Sequence, residues 1–350
     1  MGIDNQLVMD KKNKYGMFFF VIGIVIIAAM LYNLGWTALA ENLRKVGFWI
    51  FLIIASRLLM YPLNTMSWRT LSYLTPEEKK KVSWLRMFRL TISGYAINYI
   101  TPVMALGGEP YRIMAMQKDL GTKRATSSVL NYAMMHILSH FVFWIIGFWL
   151  LIFFEHDKAP QFVFVGSLVF IAISIIAILY IIKAYKKGII VSFFNLLLKI
   201  PLLKKFIQKK MTAEFKQNLA DTDKQFTDLY NYHRKAFYKA LFYETLSRIL
   251  SCVEILVILR AVGIGINIID SIIINTETSL IANIGFVFPM QVGIREGGLT
   301  FALKSIGLAA NMGVFVGIIT RISELAWIII GVGMIKIKRF GQHEYDGEER

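Results

Sequence analysis

Long apolar runs separated by short polar joints dominate the chain, covering about residues 17–36, 48–63, 90–106, 125–154, 162–182, 236–259, 266–288 and 313–335. They read as membrane helices, because about 20 apolar residues are needed to cross a hydrocarbon core of ~30 Å. Two runs are interrupted. Thr101-Pro-Val-Met-Ala-Leu-Gly-Gly-Glu-Pro-Tyr-Arg112 and Phe288-Pro-Met-Gln-Val-Gly-Ile-Arg-Glu-Gly-Gly298 place proline, paired glycines and charge inside apolar sequence. Irregular, charged backbone at membrane depth persists only where it is buried in protein or lines a watery cavity, so both breaks are candidate sites. Glu109 follows Pro102 by seven positions, as Glu296 follows Pro289.

The polar joints set the topology. Residues 1–16 read as a cytoplasmic tail and 17–40 as the first transmembrane helix. Ala38-Leu39-Ala40 resembles a signal-peptidase site, but the apolar run exceeds the ~7–15 residues of a signal h-region, so the helix is read as retained. The second helix carries Arg57, ends near Pro62 and is followed by a basic cluster at Lys79, Lys80, Lys81, Arg86 and Arg89. Between Leu90 and Pro102 the chain reaches only ~18 Å as a helix, too short to cross. Arg112, Lys118, Lys123 and Arg124 then return it to the basic, cytoplasmic side. A re-entrant hairpin at 90–121 satisfies both facts, and a second is expected at 278–308. If both crossed fully, the lysine-rich 184–235 linker would lie outside, against the positive-inside bias. In that linker Leu203, Ile207, Met211, Phe215 and Leu219 recur every four residues, as in an amphipathic surface helix.

The fold class predicted is an all-α polytopic membrane protein of about six full spans plus two re-entrant hairpins. Both termini, including the acidic 339–350 tail, are expected on the cytoplasmic face of the inner membrane. Composition agrees, with 56% hydrophobic residues and a mean hydropathy of +0.55. The net charge of +16 lies beside apolar segments rather than in a soluble basic domain, which argues for membrane topology and against nucleic acid. A single cysteine, Cys252, excludes an intrachain disulfide and a cysteine-based metal cluster.

The chain also reads as a duplication. Ser56-Arg57-Leu58-Leu59 resembles Ser247-Arg248-Ile249-Leu250, Arg69 and Arg260 follow at equal spacing, His140 falls near the position of Glu324 and Gly147 near Gly331. The halves are 46–154 and 237–338, with helix 161–183 between them. Because the first starts outside and the second inside, they form an inverted repeat, an arrangement that puts binding sites at the midplane where broken helices meet.

Arg112, Arg295, Arg57 and Arg248 are the candidates for an anionic headgroup, since a guanidinium holds phosphate through paired hydrogen bonds. The bland alternative is internal pairing, Arg295 with Glu109 and Arg248 with Glu244 or Glu254. Glu109 and Glu296 are candidate proton or cation carriers, or caps of the returning half-helices. Pro102, Gly107, Gly108, Pro289, Gly293 and Gly297 shape the breaks, and His136, His140, Arg321 and Glu324 are secondary polar candidates. His136 and His140 share a helix face, but Ile137 occupies the HExxH glutamate position and no third ligand is evident, so no metal is assigned. No catalytic motif and no cofactor motif is present.

The two breaks, Pro102 through Gly-Gly-Glu-Pro-Tyr-Arg112 and Phe288-Pro289 through Gly293-Ile-Arg-Glu-Gly297, resemble the paired signatures of the lysylphosphatidylglycerol synthase transmembrane, or flippase-like, family across roughly 15–338. The second departs from the family's proline-glycine-glycine run, with Met290, Gln291 and Val292 after Pro289. The resemblance implies an inner-membrane protein that moves a phospholipid or polyprenyl-phosphate-linked molecule between leaflets. Synthases of the family carry a soluble transferase domain after the membrane part; this chain ends at Arg350, so that activity is not expected. The alternatives are an integral-membrane enzyme acting on a lipid-linked substrate and a scaffold for a separate lipid-modifying enzyme.

Overall fold

The computed structural model describes residues 40–41, 44–72, 75–100, 107–155, 159–187, 223–224, 227–285, 291 and 293–336. The first apolar run, most of the 184–235 linker with its amphipathic stretch, the break peptides 101–106 and 286–290 with Pro102 and Pro289, and the tail from 337 lie outside the described residues. No strand occurs among the described residues, and four helical stretches are long and apolar enough to span a membrane: Trp49–Leu71, Gly108–Phe154, Gln161–Lys183 and Met312–Ile335. The chain is an all-α polytopic membrane protein, as its hydropathy predicts.

Helix α1 (Trp49–Ser56) tightens into a 3₁₀ turn at Arg57–Leu59 and resumes as α2 (Tyr61–Leu71). Pro62 accounts for the joint. It offers no N–H to the helical ladder and its ring crowds the carbonyl four residues back, yet it suits the first turn of a new helix. The sequence reading ends this run near Pro62; the helix instead continues to Leu71, because a proline in a first turn starts a helix rather than stopping one. A capping box between Thr75 and Glu78 then opens the short polar α3 (Pro76–Lys81).

Helix α4 (Trp84–Ile100) has 17 residues, ~26 Å of rise, and leads into the first break. Beyond it, α5 (Gly108–Phe154) bends at Gly121, whose φ of 74° and ψ of 158° interrupt the helix after a short returning limb. Helix α6 (Gln161–Lys187) packs against α5. In the second part of the chain, α7 (Arg234–Ser251) and α8 (Val253–Ala261) join at Cys252. Asn267 and Asp270 cap α9 (Ile268–Ile284), so its first turn lies well before residue 278, where the sequence reading begins the inward limb. Then follow α10 (Ile294–Ser305) and α11 (Met312–Lys336).

Helix α2 packs on α7 and α1 on α8, so the two arginine-bearing pairs run antiparallel. Around them α4 packs on α11 and α9 on α5. Glycines set both contacts: a Cβ on Gly147 of α5 would meet Thr276 of α9 at 1.8 Å, and one on Gly331 of α11 would meet Ala96 of α4 at 2.6 Å. The two largest apolar clusters among the described residues include Trp68, Met116, Tyr132 and Phe237 in one, and Ile53, Ile258, Leu303 and Val316 in the other. Charge falls between them, with Arg57 between Ile53 and Trp68 along one helix pair and Arg248 between Phe237 and Ile258 along the other.

Candidate functional site

Arg57 is the hub of the polar layer. Its Nε donates to Glu254 Oε1 and to Ser323 Oγ, each at 3.1 Å, while Nη2 lies 3.0 Å from Glu254 Oε2 and 3.5 Å from Glu324 Oε1. Glu324 also accepts from Arg295 Nη1 and from the Tyr99 hydroxyl. Thus α1, α4, α8, α10 and α11 meet at two carboxylates and two guanidiniums. Nearby, Arg321 Nε donates to Glu296 Oε1 at 2.5 Å.

This pairing differs from both internal pairs considered from sequence. Arg295 binds Glu324 because α10 lies against α11, whereas Glu109 stays with Arg112 one turn along its own helix, at 3.3 Å. Glu254 is taken by Arg57 across the antiparallel helix pair, and Glu244 by Asn64 at 3.1 Å and His136 at 2.8 Å.

Arg248 is consequently left with neutral partners among the described residues. Its Nε donates to Ser139 Oγ at 2.7 Å and its Nη2 to the His136 carbonyl at 2.8 Å. Arg57 and Arg248 therefore use the same contact, Nε to a serine on the closing helix of the other half, Ser323 and Ser139 respectively. Arg248 remains partly exposed beside His136, whose side chain is 33% exposed, and His140, whose ring stands edge-on to that of His136. Among the described residues no cluster of His, Cys, Asp and Glu is arranged to hold a metal ion.

Arg112 is sealed into the protein, 1% exposed. Its guanidinium lies 5.0, 5.3 and 5.8 Å from the ring centres of Tyr95, Tyr132 and Trp68, and Nη2 donates to the Thr91 carbonyl at 3.2 Å. No face is left for a headgroup in this conformation. A lysine cannot spread its charge over three rings while bonding Thr91 and Glu109. Arg112→Lys is therefore expected to destabilise the protein by about 1–2 kcal/mol, read as a lower unfolding midpoint in detergent; an unchanged midpoint would show the cage to be energetically idle.

The break residues divide by role. The Gly108 amide donates to Asn98 Oδ1 at 2.6 Å, and a Cβ there would fall 2.2 Å from the Gly94 carbonyl oxygen, so only glycine permits this approach of α4 and α5. Gly293 has a φ of 81°, a conformation that strains any side chain, and its amide donates to Glu296 Oε2 at 2.8 Å. Gly107 has an ordinary helical φ of −73°, and Gly297 faces open space. Glu109 accepts from Asn98 Nδ2 at 3.2 Å, so each break glutamate sits at the start of a returning helix and pairs with an arginine, Arg112 or Arg321.

Between α1, α2, α4 and α11, a narrow cleft is lined by Arg57, Tyr61, Tyr95, Tyr99, Glu324 and Trp327. It leaves no room for even a water-sized sphere, so the polar centre is closed in this conformation. Tyr95, Asn98, Tyr99, Ser139 and Ser323 were not singled out from sequence. For the first three the available signal was a set of hydrogen-bonding side chains on one stretch of α4, inside a run otherwise apolar enough to hide them.

Comparison with known proteins places the geometry in context. The sequence profile of the lysylphosphatidylglycerol synthase TM region matches residues 17–333. No curated protein and no solved structure matches the chain.

Proposed function

Since the chain belongs to the lysylphosphatidylglycerol synthase transmembrane family, which gives it a membrane lipid-related function, we propose that it moves a phospholipid or lipid-linked anionic molecule between leaflets. The observation that carries this reading is Arg248. It is a partly exposed guanidinium near the middle of a membrane-embedded helix pair, bonded to a hydroxyl and a carbonyl while the nearest carboxylates on its own chain segment serve His136, Asn64 and Arg57. An ionisable group at that depth is expensive when its nearest carboxylate, Glu244, attracts it only through space while bonded to His136 and Asn64, and a phosphate-bearing headgroup supplies a direct partner.

Transport needs the closed centre to open on alternate sides. The two halves act as an inverted repeat, and the exchanged contacts support it: Arg57 reaches Ser323 and Arg248 reaches Ser139, while Gly331 rests on α4 and Gly147 on α9. Glu109 and Glu296 exchange arginine partners as the broken helices separate. Arg112 and Arg295, occupied by Glu109 and Glu324 in the closed form, become available to the headgroup only as those pairs part.

Mass spectrometry of lipids retained by the purified protein tests the proposal. Arg248→Gln is expected to lose an anionic lipid that wild type retains, while still eluting as a folded species. Equal retention of bulk lipid by both would remove Arg248 as the headgroup site and with it the main support for cargo binding.

A further inference from the structure

The middle of α9 carries Glu277, 3% exposed and flanked along α9 and α10 by the apolar core residues Ile273, Ile274, Ala302 and Leu303. Among the described residues no cation bridges it, unlike Glu109, Glu254, Glu296 and Glu324. Its Oε1 has no hydrogen-bond partner there. Its Oε2 lies 2.6 Å from Ser305 Oγ, which also lies 2.8 Å from the Ala302 carbonyl oxygen.

Those two contacts compete for one hydrogen. A serine hydroxyl has one hydrogen to give, and a carbonyl oxygen only accepts. Ser305 therefore satisfies both neighbours when it donates to Ala302 and accepts from a carboxyl group that holds its own hydrogen. An ionised carboxylate here would instead present two acceptor oxygens to a site with one shared donor, leaving its charge desolvated.

Among the described residues, the elements packed against α9 offer no unengaged buried charge to offset it. On α10, Arg295 and Glu296 are engaged with Glu324 and Arg321, and Lys304 is exposed. On α8, Glu254 is held by Arg57, and Arg260 donates to the Ile266 carbonyl. On α5, His136 is bound to Glu244, the His140 ring lies edge-on to His136 and tilted against Trp144, and Glu155 lies at the far end of the helix. On α9 itself Asp270 is the N-terminal cap. A metal or sodium ion would need several oxygens, but Thr276 is turned toward Gly147 of α5 and, among the described residues, Ser305 is the one hydroxyl bonded to the carboxyl group.

We propose that Glu277 is a proton-binding site, neutral in the closed conformation and releasing its proton when α9 and α10 part and water reaches it. The site stands on the geometry of α9 and α10 alone. Its consequence, coupling of lipid movement to a proton gradient, rests on the transport reading above.

The full-length protein in lipid nanodiscs tests the site by pH-difference infrared spectroscopy. Wild type is expected to show a protonated-carboxyl stretch at neutral pH that shifts in D₂O, and Glu277→Gln to lose it; a band unchanged in Glu277→Gln would overturn the proposal. Ser305→Ala keeps the acid but removes its acceptor, so the band is expected to move to higher frequency, and no movement would equally overturn it. In proteoliposomes, wild-type redistribution of a labelled anionic phospholipid is expected to follow an imposed pH gradient, and Glu277→Gln to ignore it. If no lipid moves in wild type, the coupling and the transport reading both fall, while the infrared band still decides the proton site.

Discussion

Glu324→Gln is expected to destabilise the protein by about 3–5 kcal/mol, the cost of leaving buried charge without its partner. Glu324 is 2% exposed and accepts from Arg295 and Tyr99 while facing Arg57, so its neutralisation leaves Arg295 without its carboxylate and Arg57 with Glu254 alone. An amide keeps the size of the side chain but supplies no charge, which isolates electrostatics from packing. Glu296→Gln makes the comparison. Its carboxylate is 18% exposed and has one arginine partner, so a smaller fall in unfolding midpoint is expected in detergent. Should Glu296→Gln prove as damaging as Glu324→Gln, the convergence on Glu324 is not what holds α1, α8, α10 and α11 together. Arg295→Met/Glu324→Met, which removes the pair together, is expected to be milder than Glu324→Gln alone, because no guanidinium is then left without a carboxylate: Arg57 and Tyr99 each lose a contact, but Glu254 still holds Arg57.

Much of the architecture was legible because membrane helices announce themselves by length and apolarity, and Arg57, Arg248, Arg295 and Glu324 stood out as charges where charge is expensive. Partners were not legible. Hydropathy ranks a position by its own side chain, whereas pairing depends on which helices touch, and the contact of α11 with both α4 and α10 belongs to the tertiary fold. Proximity in sequence therefore favoured Arg248 with Glu244, although Glu244 turns toward Asn64 and His136. The extent of the second helix was obscured by Pro62, which reads as a stop in the sequence and acts as a first-turn residue in the fold. Glu277 escaped notice for a different reason. It lies in the 266–288 apolar run without a basic residue within a helical turn, and that isolation was itself the available signal.

The two breaks contain glycines that look alike in sequence, yet Gly108→Ala and Gly297→Ala are expected to behave oppositely. At Gly108 the added methyl meets a backbone carbonyl, that of Gly94, at 2.2 Å and the Asn98 side chain at 2.7 Å. A flexible side chain can swing away from such a contact, but a carbonyl within a helix cannot, so α4 and the first limb of α5 must separate. Overpacking of this kind costs about 1–3 kcal/mol, and the amide bond from Gly108 to Asn98 weakens with it. Arg112 lies on the same limb, so its aromatic cage loosens as the helices part. At Gly297 the methyl enters open space within α10, where alanine is the better helix former by roughly 1 kcal/mol. Unfolding midpoints in detergent should therefore fall for Gly108→Ala and hold or rise for Gly297→Ala, and hydrogen exchange should quicken in α4 and the returning limb for the first variant alone. Equal effects would mean that both glycines serve flexibility rather than contact, and the tight junction of α4 with α5 would cease to be the feature that keeps Arg112 sealed.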